Sequence, residues 1–315
     1  MARYKFQQSI VFLHKDPDPQ DQPPLNGQIS EYPDQTETEK HQMMTVEEKW
    51  HFDLFGYVVL KQAVPVEDVQ RMVSLAYTWH DLPDSKLPPP LRSYRDPVEY
   101  PNLPRSIVNS HYGDEIFQRL ALNREIMRCV LDLTANCPKL LAVSLTRNTK
   151  NSEAVGFHGG FSGGWRNPAN DYQVAEGKVF ATFLNAAVSL VDVPEGTGFV
   201  CVPGSHKGNF PIPSHIDIYS CPPSVVNVTP KAGDVVLFTE TLCHGARRWT
   251  QDTPRLTVFV RYSTSYASWS PEVGPIEAHQ GKLSPGVHEL MQVAGFQHRK
   301  QIVDQLLSEM GENST

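Results

Sequence analysis

Paired cysteines and long apolar runs are both missing from this chain of 315 residues. Its five cysteines, Cys129, Cys137, Cys201, Cys221 and Cys243, are odd in number and lack close paired spacings. That argues against a disulfide framework or a zinc module and for a reducing compartment. The N-terminal apolar run, Ser9 to Leu13, is too brief for an export signal, and no stretch has membrane-spanning length. A cytoplasmic protein with no membrane partner is therefore expected, and the glycosylation-type triplet Asn227-Val-Thr229 reads as a chance match. Basic charge is also scarce: 28 Lys plus Arg stand against 35 Asp plus Glu, for a net charge of -7. No basic stripe is present to neutralise phosphates, so nucleic acid is not an expected partner.

What is present can bury a full core, since 40% of the residues are apolar. Residues 14 to 42 are rich in Pro, Asp, Gln and Glu with hardly an aliphatic side chain, which predicts a flexible N-terminal arm over 1–42 ahead of a single domain over 43–315. Order is expected to begin at Thr45-Val-Glu-Glu48, a capping-box pattern, with a helix through Phe52 and Phe55 that stops at Gly56. Tyr57 to Leu60 reads as a strand, a second helix follows Pro65, and the Pro-rich stretch from Leu82 to Pro104 reads as a long loop. From Leu140 the pattern changes to short β-type runs punctuated by Gly and Pro: Leu140 to Leu145, Val179 to Val191, Gly198 to Val202, Asp234 to Phe238 and Leu256 to Tyr262. A helical spacing over Gly286 to Met310 closes the chain. Helices early and strands late predict an α+β fold around a double-sheet jelly roll.

The chemistry concentrates in two segments. Thr241 to Thr257 puts His244 and Arg255 eleven residues apart on neighbouring strands, a pairing that suits a metal beside a carboxylate cosubstrate. Gly156-Phe-His158-Gly-Gly160 offers a second imidazole, and Phe157, Phe161 and Trp165 could wall the site or simply pack in the core. Alternate residues of an extended segment point the same way, so an iron-binding carboxylate would belong at position 160, where glycine stands. Taken singly, His158 could be a loop histidine, His244 a donor to a backbone carbonyl, and Arg255 a surface partner of Asp252; His206 reads as a turn residue.

Gly196-Thr-Gly-Phe-Val-Cys-Val-Pro203-Gly-Ser-His206-Lys, then Gly233-Asp234-Val-Val-Leu-Phe and His244-Gly, resemble the phytanoyl-CoA dioxygenase family over about residues 43 to 263. The resemblance implies a double-stranded β-helix, iron(II), 2-oxoglutarate and O2, with His158 and His244 as metal ligands. It also implies Arg255 as the anchor of the distal 2-oxoglutarate carboxylate, with Thr257 donating a hydroxyl. Three accounts of Gly160 follow. Glu240, four residues before His244 and on the same face if the strand continues, could complete the metal site. Alternatively chloride fills the position, as in related iron halogenases, or the protein is an inactive binding relative. The expectation is an oxygenase that hydroxylates or otherwise oxidises a C–H bond of a small molecule, with no basic cluster suited to CoA.

Overall fold

In a computed structural model, residues 43–159, 171–220, 223–267, 274–295 and 298–311 are described. The arm expected over 1–42 lies outside the described residues, as do Gly160, Phe161 and Trp165. In chain order come helix α1 (Val46–Phe55), strand β1 (Tyr57–Leu60), helix α2 (Val66–His80), strands β2 (Arg92–Ser93) and β3 (Arg105–Val108), and helices α3 (Glu115–Ala121) and α4 (Arg124–Leu133). The strand-rich part holds β4 (Pro138–Asn148), β5 (Val155–His158), β6 (Tyr172–Ala175), β7 (Lys178–Ala181), β8 (Leu184–Ser189), β9 (Gly198–Cys201), β10 (Val226–Asn227), β11 (Val235–Thr239), β12 (His244–Arg247) and β13 (Arg255–Thr264). Helices α5 (Pro285–Met291) and α6 (Gln301–Glu309) follow. No helix among the described residues is long and apolar enough to cross a membrane.

The capping box forms as expected: Thr45 Oγ1 accepts from the Glu48 amide at 3.1 Å, and Glu48 Oε2 accepts from the Thr45 amide at 2.9 Å. Glu48 also accepts two charged hydrogen bonds from Arg128, at 2.6 and 2.7 Å, which tie the start of α1 to α4.

Among the described residues the strands make a seven-stranded antiparallel sheet, ordered β1-β11-β8-β13-β4-β3-β2, and a four-stranded one, ordered β10-β9-β12-β5. Strand β13 shows why the large sheet has two unlike faces. Its even positions, Leu256, Val258, Val260 and Tyr262, are buried in the main apolar core with residues of α2, α3 and α4. Each such burial is worth roughly 1.5–3 kcal/mol, and the Tyr262 hydroxyl donates to the Ala121 carbonyl at 2.9 Å, pinning α3. Its odd positions, Arg255, Thr257, Phe259 and Arg261, point the other way.

Register extends that second face across the sheet. Thr257 stands opposite Thr146 and Ser189, Phe259 opposite Ser144 and Ala187, and Arg261 opposite Asn185. Toward β11 the same face becomes apolar, where Ala187, Val236 and Phe238 pack against Phe199 and Cys201 of the small sheet. The two sheets therefore face one another, with a polar inner surface at one side and an apolar seam at the other.

Several expectations need correction. The single strand expected over Val179 to Val191 is two, because β7 pairs with β6 as a separate hairpin whereas β8 enters the large sheet. The helical spacing over Gly286 to Met310 is broken into α5 and α6: Glu289 accepts from the Gln301 and Ile302 amides at 2.8 and 2.9 Å, so the first helix caps the second at an angle. The Pro-rich loop from Leu82 to Pro104 is pinned midway by β2, which pairs with β3.

Candidate active site

Strand β12 lies between β9 and β5 in the small sheet, and its register sets His244 directly opposite His158. The two imidazole centroids are 4.1 Å apart. Glu240 arrives differently from the expectation. Strand β11 ends at Thr239, and the Leu242 amide donates to the Thr239 carbonyl at 2.9 Å, closing a turn that carries the chain from the large sheet to the small one. Glu240 and His244 thus do not share a strand face; the turn itself swings the carboxylate towards the imidazoles. One ligand atom from each of His158, Glu240 and His244 lies within 4.8 Å of the others.

Close approach at this corner depends on Gly159. Its φ is +77°, and a Cβ there would fall 2.4 Å from the Glu240 carbonyl oxygen and 2.6 Å from that of Leu242. Only a residue without a side chain lets the end of β5 lie against the turn.

Hydrogen bonds choose the imidazole tautomers. His158 Nδ1–H donates to the Gly156 carbonyl at 3.0 Å, and His244 Nδ1–H donates to that of Leu242 at 2.7 Å. In the neutral rings this leaves both Nε2 atoms with a free lone pair, the form a metal takes up. Burial pushes the His244 pKa down to about 4, with Glu240 opposing the shift, so His244 is neutral at pH 7. Phe199 stacks on His244 at 5.9 Å and Phe238 meets it edge-on at 4.7 Å, keeping water off that side. Glu240 Oε2 accepts from Asn185 Nδ2 at 2.7 Å, which fixes the carboxylate. His158 is exposed, so the cluster opens to solvent on its side.

Arg255 and Thr257 sit deeper on the same inner face. Arg255 is 7% exposed and Thr257 1%. Arg255 Nε and Thr257 Oγ1 are buried without a hydrogen-bond partner among the described residues. Asp252 is not the partner of Arg255: it pairs with Lys150 at 2.5 Å. Burial lowers the Arg255 pKa to about 10, which leaves the guanidinium charged at pH 7. Gly198 of the small sheet, whose φ is +66°, lies beside it, and a Cβ there would stand 2.8 Å from Val193 Cγ1.

His206 lies apart from this cluster, in a buried turn where its Nε2–H donates to the Asp53 carbonyl at 3.0 Å. The adjacent Ser205 Oγ accepts from the Cys243 amide at 2.8 Å, so the Pro-Gly-Ser-His turn braces the backbone next to His244. Asn227 is also committed, donating to the Thr197 and Phe199 carbonyls and accepting from the Gly196 amide. Sequence reasoning missed Asn185 and Arg261; strict alternation along β13 signals Arg261, whereas only the pairing of β8 with β13 reveals Asn185.

The sequence profile of the family described as phytanoyl-CoA dioxygenase (PhyH) matches residues 52–257. No curated protein matches the chain. Among solved structures, HygX from Streptomyces hygroscopicus with nickel, 2-oxoglutarate and hygromycin B bound is 26% identical, with 72% of this chain and 90% of HygX covered, at a TM-score of 0.60. HygX is also known with iron bound. The non-haem α-ketoglutarate-dependent carbocyclase SnoK from nogalamycin biosynthesis is 18% identical, with 80% of this chain and 94% of SnoK covered, at a TM-score of 0.53. The epimerase SnoN from the same biosynthesis is 19% identical, with coverage of 70% and 82% and a TM-score of 0.51. At those two identities the likeness is one of fold alone.

Proposed function

Because the chain belongs to the phytanoyl-CoA dioxygenase family, we propose that it is an iron(II)- and 2-oxoglutarate-dependent oxygenase that hydroxylates or otherwise oxidises a C–H bond of a small organic molecule. The observation that carries this reading is that three ligand atoms converge, while the inner face of β13 carries a buried Arg255 and Thr257 whose Nε and Oγ1 have no hydrogen-bond partner among the described residues. In this reading the two facing sheets are the halves of a double-stranded β-helix, and 43–315 is one domain bearing the 1–42 arm.

The residues fit the groups the family implies. His158 and His244 would hold iron through Nε2 and Glu240 through its carboxylate, a set of two imidazoles and one acid that leaves positions for a chelating keto acid and for O2. Arg255 would grip the distal carboxylate of 2-oxoglutarate with a planar pair of N–H groups, and Thr257 would donate its hydroxyl. Iron bound with 2-oxoglutarate supplies O2 activation coupled to decarboxylation, which yields succinate and an oxidised substrate. The chain's own work is positional: Asn185 holds the Glu240 carboxylate, the Gly156 and Leu242 carbonyls hold the imidazoles in the ligating tautomer, and Phe199 and Phe238 exclude water.

Among the accounts of Gly160, the position of Glu240 supports completion by an acid from outside the His158-Gly-Gly160 segment. The halogenase reading, with chloride on iron, and the inactive binding protein draw no support from the comparisons. Anaerobic titration with iron(II) and 2-oxoglutarate tests the choice through the visible charge-transfer band of a chelated keto acid. The expected band is indifferent to chloride and absent in His244→Ala, and Glu240→Ala weakens it, with substrate-dependent succinate lost in parallel. A band that grows with chloride and survives Glu240→Ala would favour halogenation, and no iron uptake by the wild type would sink the enzyme reading.

A further inference from the structure

Arg255 is not alone on the inner face. Six residues on along β13, Arg261 points the same way, its backbone roughly 20 Å along the strand. Register puts Arg261 opposite Asn185, the residue whose amide holds Glu240, so Arg261 lies at the level of the metal-ligand cluster, whereas Arg255 lies below it.

The surroundings of Arg261 leave its charge available. Its guanidinium sits 5.1 Å over the Phe259 ring, and Nη1 donates to Ser144 Oγ at 3.0 Å. No salt bridge joins it to any carboxylate among the described residues, and Ser144 is its hydrogen-bond partner there. An aromatic shelf below and one neutral acceptor at the edge hold the plane of the guanidinium in place without neutralising it.

Tyr94 stands on the same inner face, in the row of Thr257, four residues along β13 from Arg261. Ser93 is opposite Ile107 in the β2–β3 pair, and the Tyr94 amide donates to the Ser106 carbonyl at 2.8 Å, so Tyr94 continues the inner row of Ser106, Thr146 and Thr257. Burial lowers the Arg261 pKa, with Glu240 and Tyr94 opposing the shift. Arg95 lies over the Tyr94 and Tyr100 rings at 5.9 and 5.6 Å, which folds this exposed loop upon itself.

We propose that Arg261 anchors an anionic group of the substrate, and that the molecule oxidised here is a small monocarboxylic acid. The inference rests on the iron and 2-oxoglutarate reading above. Charge narrows the class. With iron(II) and the 2-oxoglutarate dianion bound, the Arg255 and Arg261 cations and the Glu240 anion leave a surplus of one positive charge, which a single carboxylate cancels. A phosphate ester would overshoot, and a cationic substrate would meet Arg261 unscreened. A carboxylate on the guanidinium fork also fixes the direction in which the rest of the molecule reaches towards the metal cluster.

The test is anaerobic calorimetry on iron(II)-loaded protein, titrated first with 2-oxoglutarate and then with hexanoate, phenylacetate and their primary amides. Wild type is expected to bind at least one acid about 10-fold or more tightly than its amide. Arg261→Gln should bring acid and amide together while 2-oxoglutarate affinity stays within about twofold. Arg261→Lys keeps the charge without the fork and should retain part of the preference for the acid. Wild type that binds amides as well as acids, or binds neither, overturns the proposal without any variant. A preserved acid preference in Arg261→Gln overturns it too, and so does a joint loss of 2-oxoglutarate affinity, which would make Arg261 a support of the cosubstrate site. Failure of the wild type to bind 2-oxoglutarate in the first titration strikes the underlying reading and is seen separately.

Discussion

The two faces of the seven-stranded sheet share one backbone and one ladder of hydrogen bonds, yet they are built to opposite rules. Behind the sheet, Leu256, Val258, Val260, Leu145 and Val188 interlock with the helices in a layer of almost wholly apolar side chains. In front, the alternate residues of the same strands are Arg255, Thr257, Arg261, Thr146, Asn185 and Ser189, and Arg255 Nε and Thr257 Oγ1 are buried without a partner among the described residues. The first face lowers the free energy of the folded state, and the second raises it and, in the proposed reading, is relieved by 2-oxoglutarate. A strand that alternates in this way serves stability and recognition at once, and the two contributions can be separated residue by residue.

The largest expected effect is on the rear face. Leu145 is wholly buried, and Leu145→Ala should cost about 2–5 kcal/mol of stability through lost burial and the cavity left behind. Denaturant melts measure the loss, and 2-oxoglutarate titration of the folded fraction should be unchanged. The front-face counterpart is Arg255→Leu. Removing a charged donor pair should weaken 2-oxoglutarate binding about 100-fold, or about 2.7 kcal/mol. The melting temperature of the ligand-free protein should hold or rise, because a buried cation without a partner leaves the core. A fall in stability comparable to that of Leu145→Ala would break the contrast between the faces.

How far this contrast could be read from the chain varies by residue. The alternation over Leu256 to Tyr262 and the capping box at Thr45 were legible, because period and local hydrogen bonding are written in consecutive residues. His158 and His244 were picked out by motif and spacing, and β5 and β12 set them face to face. Glu240 was named for a geometry that does not exist: its approach depends on the end of β11, the turn after it and the glycine at 159, none of which a strand period reports. Helices α3 and α4 were passed over although Asp114 and Asn123 supply side-chain N-caps, at 3.0 and 3.1 Å. Asn185 could not be read at all, since it lies within an apolar run and only pairing with β13 turns it towards Glu240.

The helical side of the molecule carries two exceptions of its own, and acid should expose them. His80 and His111 are buried, His111 with neither ring nitrogen partnered among the described residues, and burial holds the pKa of each at about 3, helped at His80 by the charges of Arg147 and Arg105. In the unfolded chain both titrate near the ordinary value of 6.5. Below that pH the unfolded state binds protons that the folded state refuses, so stability should decline as pH falls from 6.5 towards 3, at up to about 1.4 kcal/mol per pH unit for each histidine. Above 6.5 the two contribute no slope. Denaturant melts at pH 7.5 and 5 measure the difference, and His111→Leu should flatten part of it; an unchanged slope would mean that protons reach these rings in the folded state.

Thr257→Val gives the finest division between the faces because it changes one atom's chemistry at nearly constant volume. The Thr257 hydroxyl is buried, and its Oγ1 has no partner among the described residues, so in the ligand-free protein its desolvation goes uncompensated. Valine removes that cost while filling the same space between Thr146 and Ser189, and stability should rise by about 0.5–1 kcal/mol. With 2-oxoglutarate bound, the hydroxyl would donate to a carboxylate already held by Arg255, a charge-assisted bond whose loss should weaken affinity about 10-fold. Thr257→Ser keeps the donor and should keep the affinity, at a small loss of packing. The two readouts therefore move in opposite directions in the valine variant. A hydroxyl that served only the fold would move both the same way, since every molecule lost to unfolding would also be lost to binding.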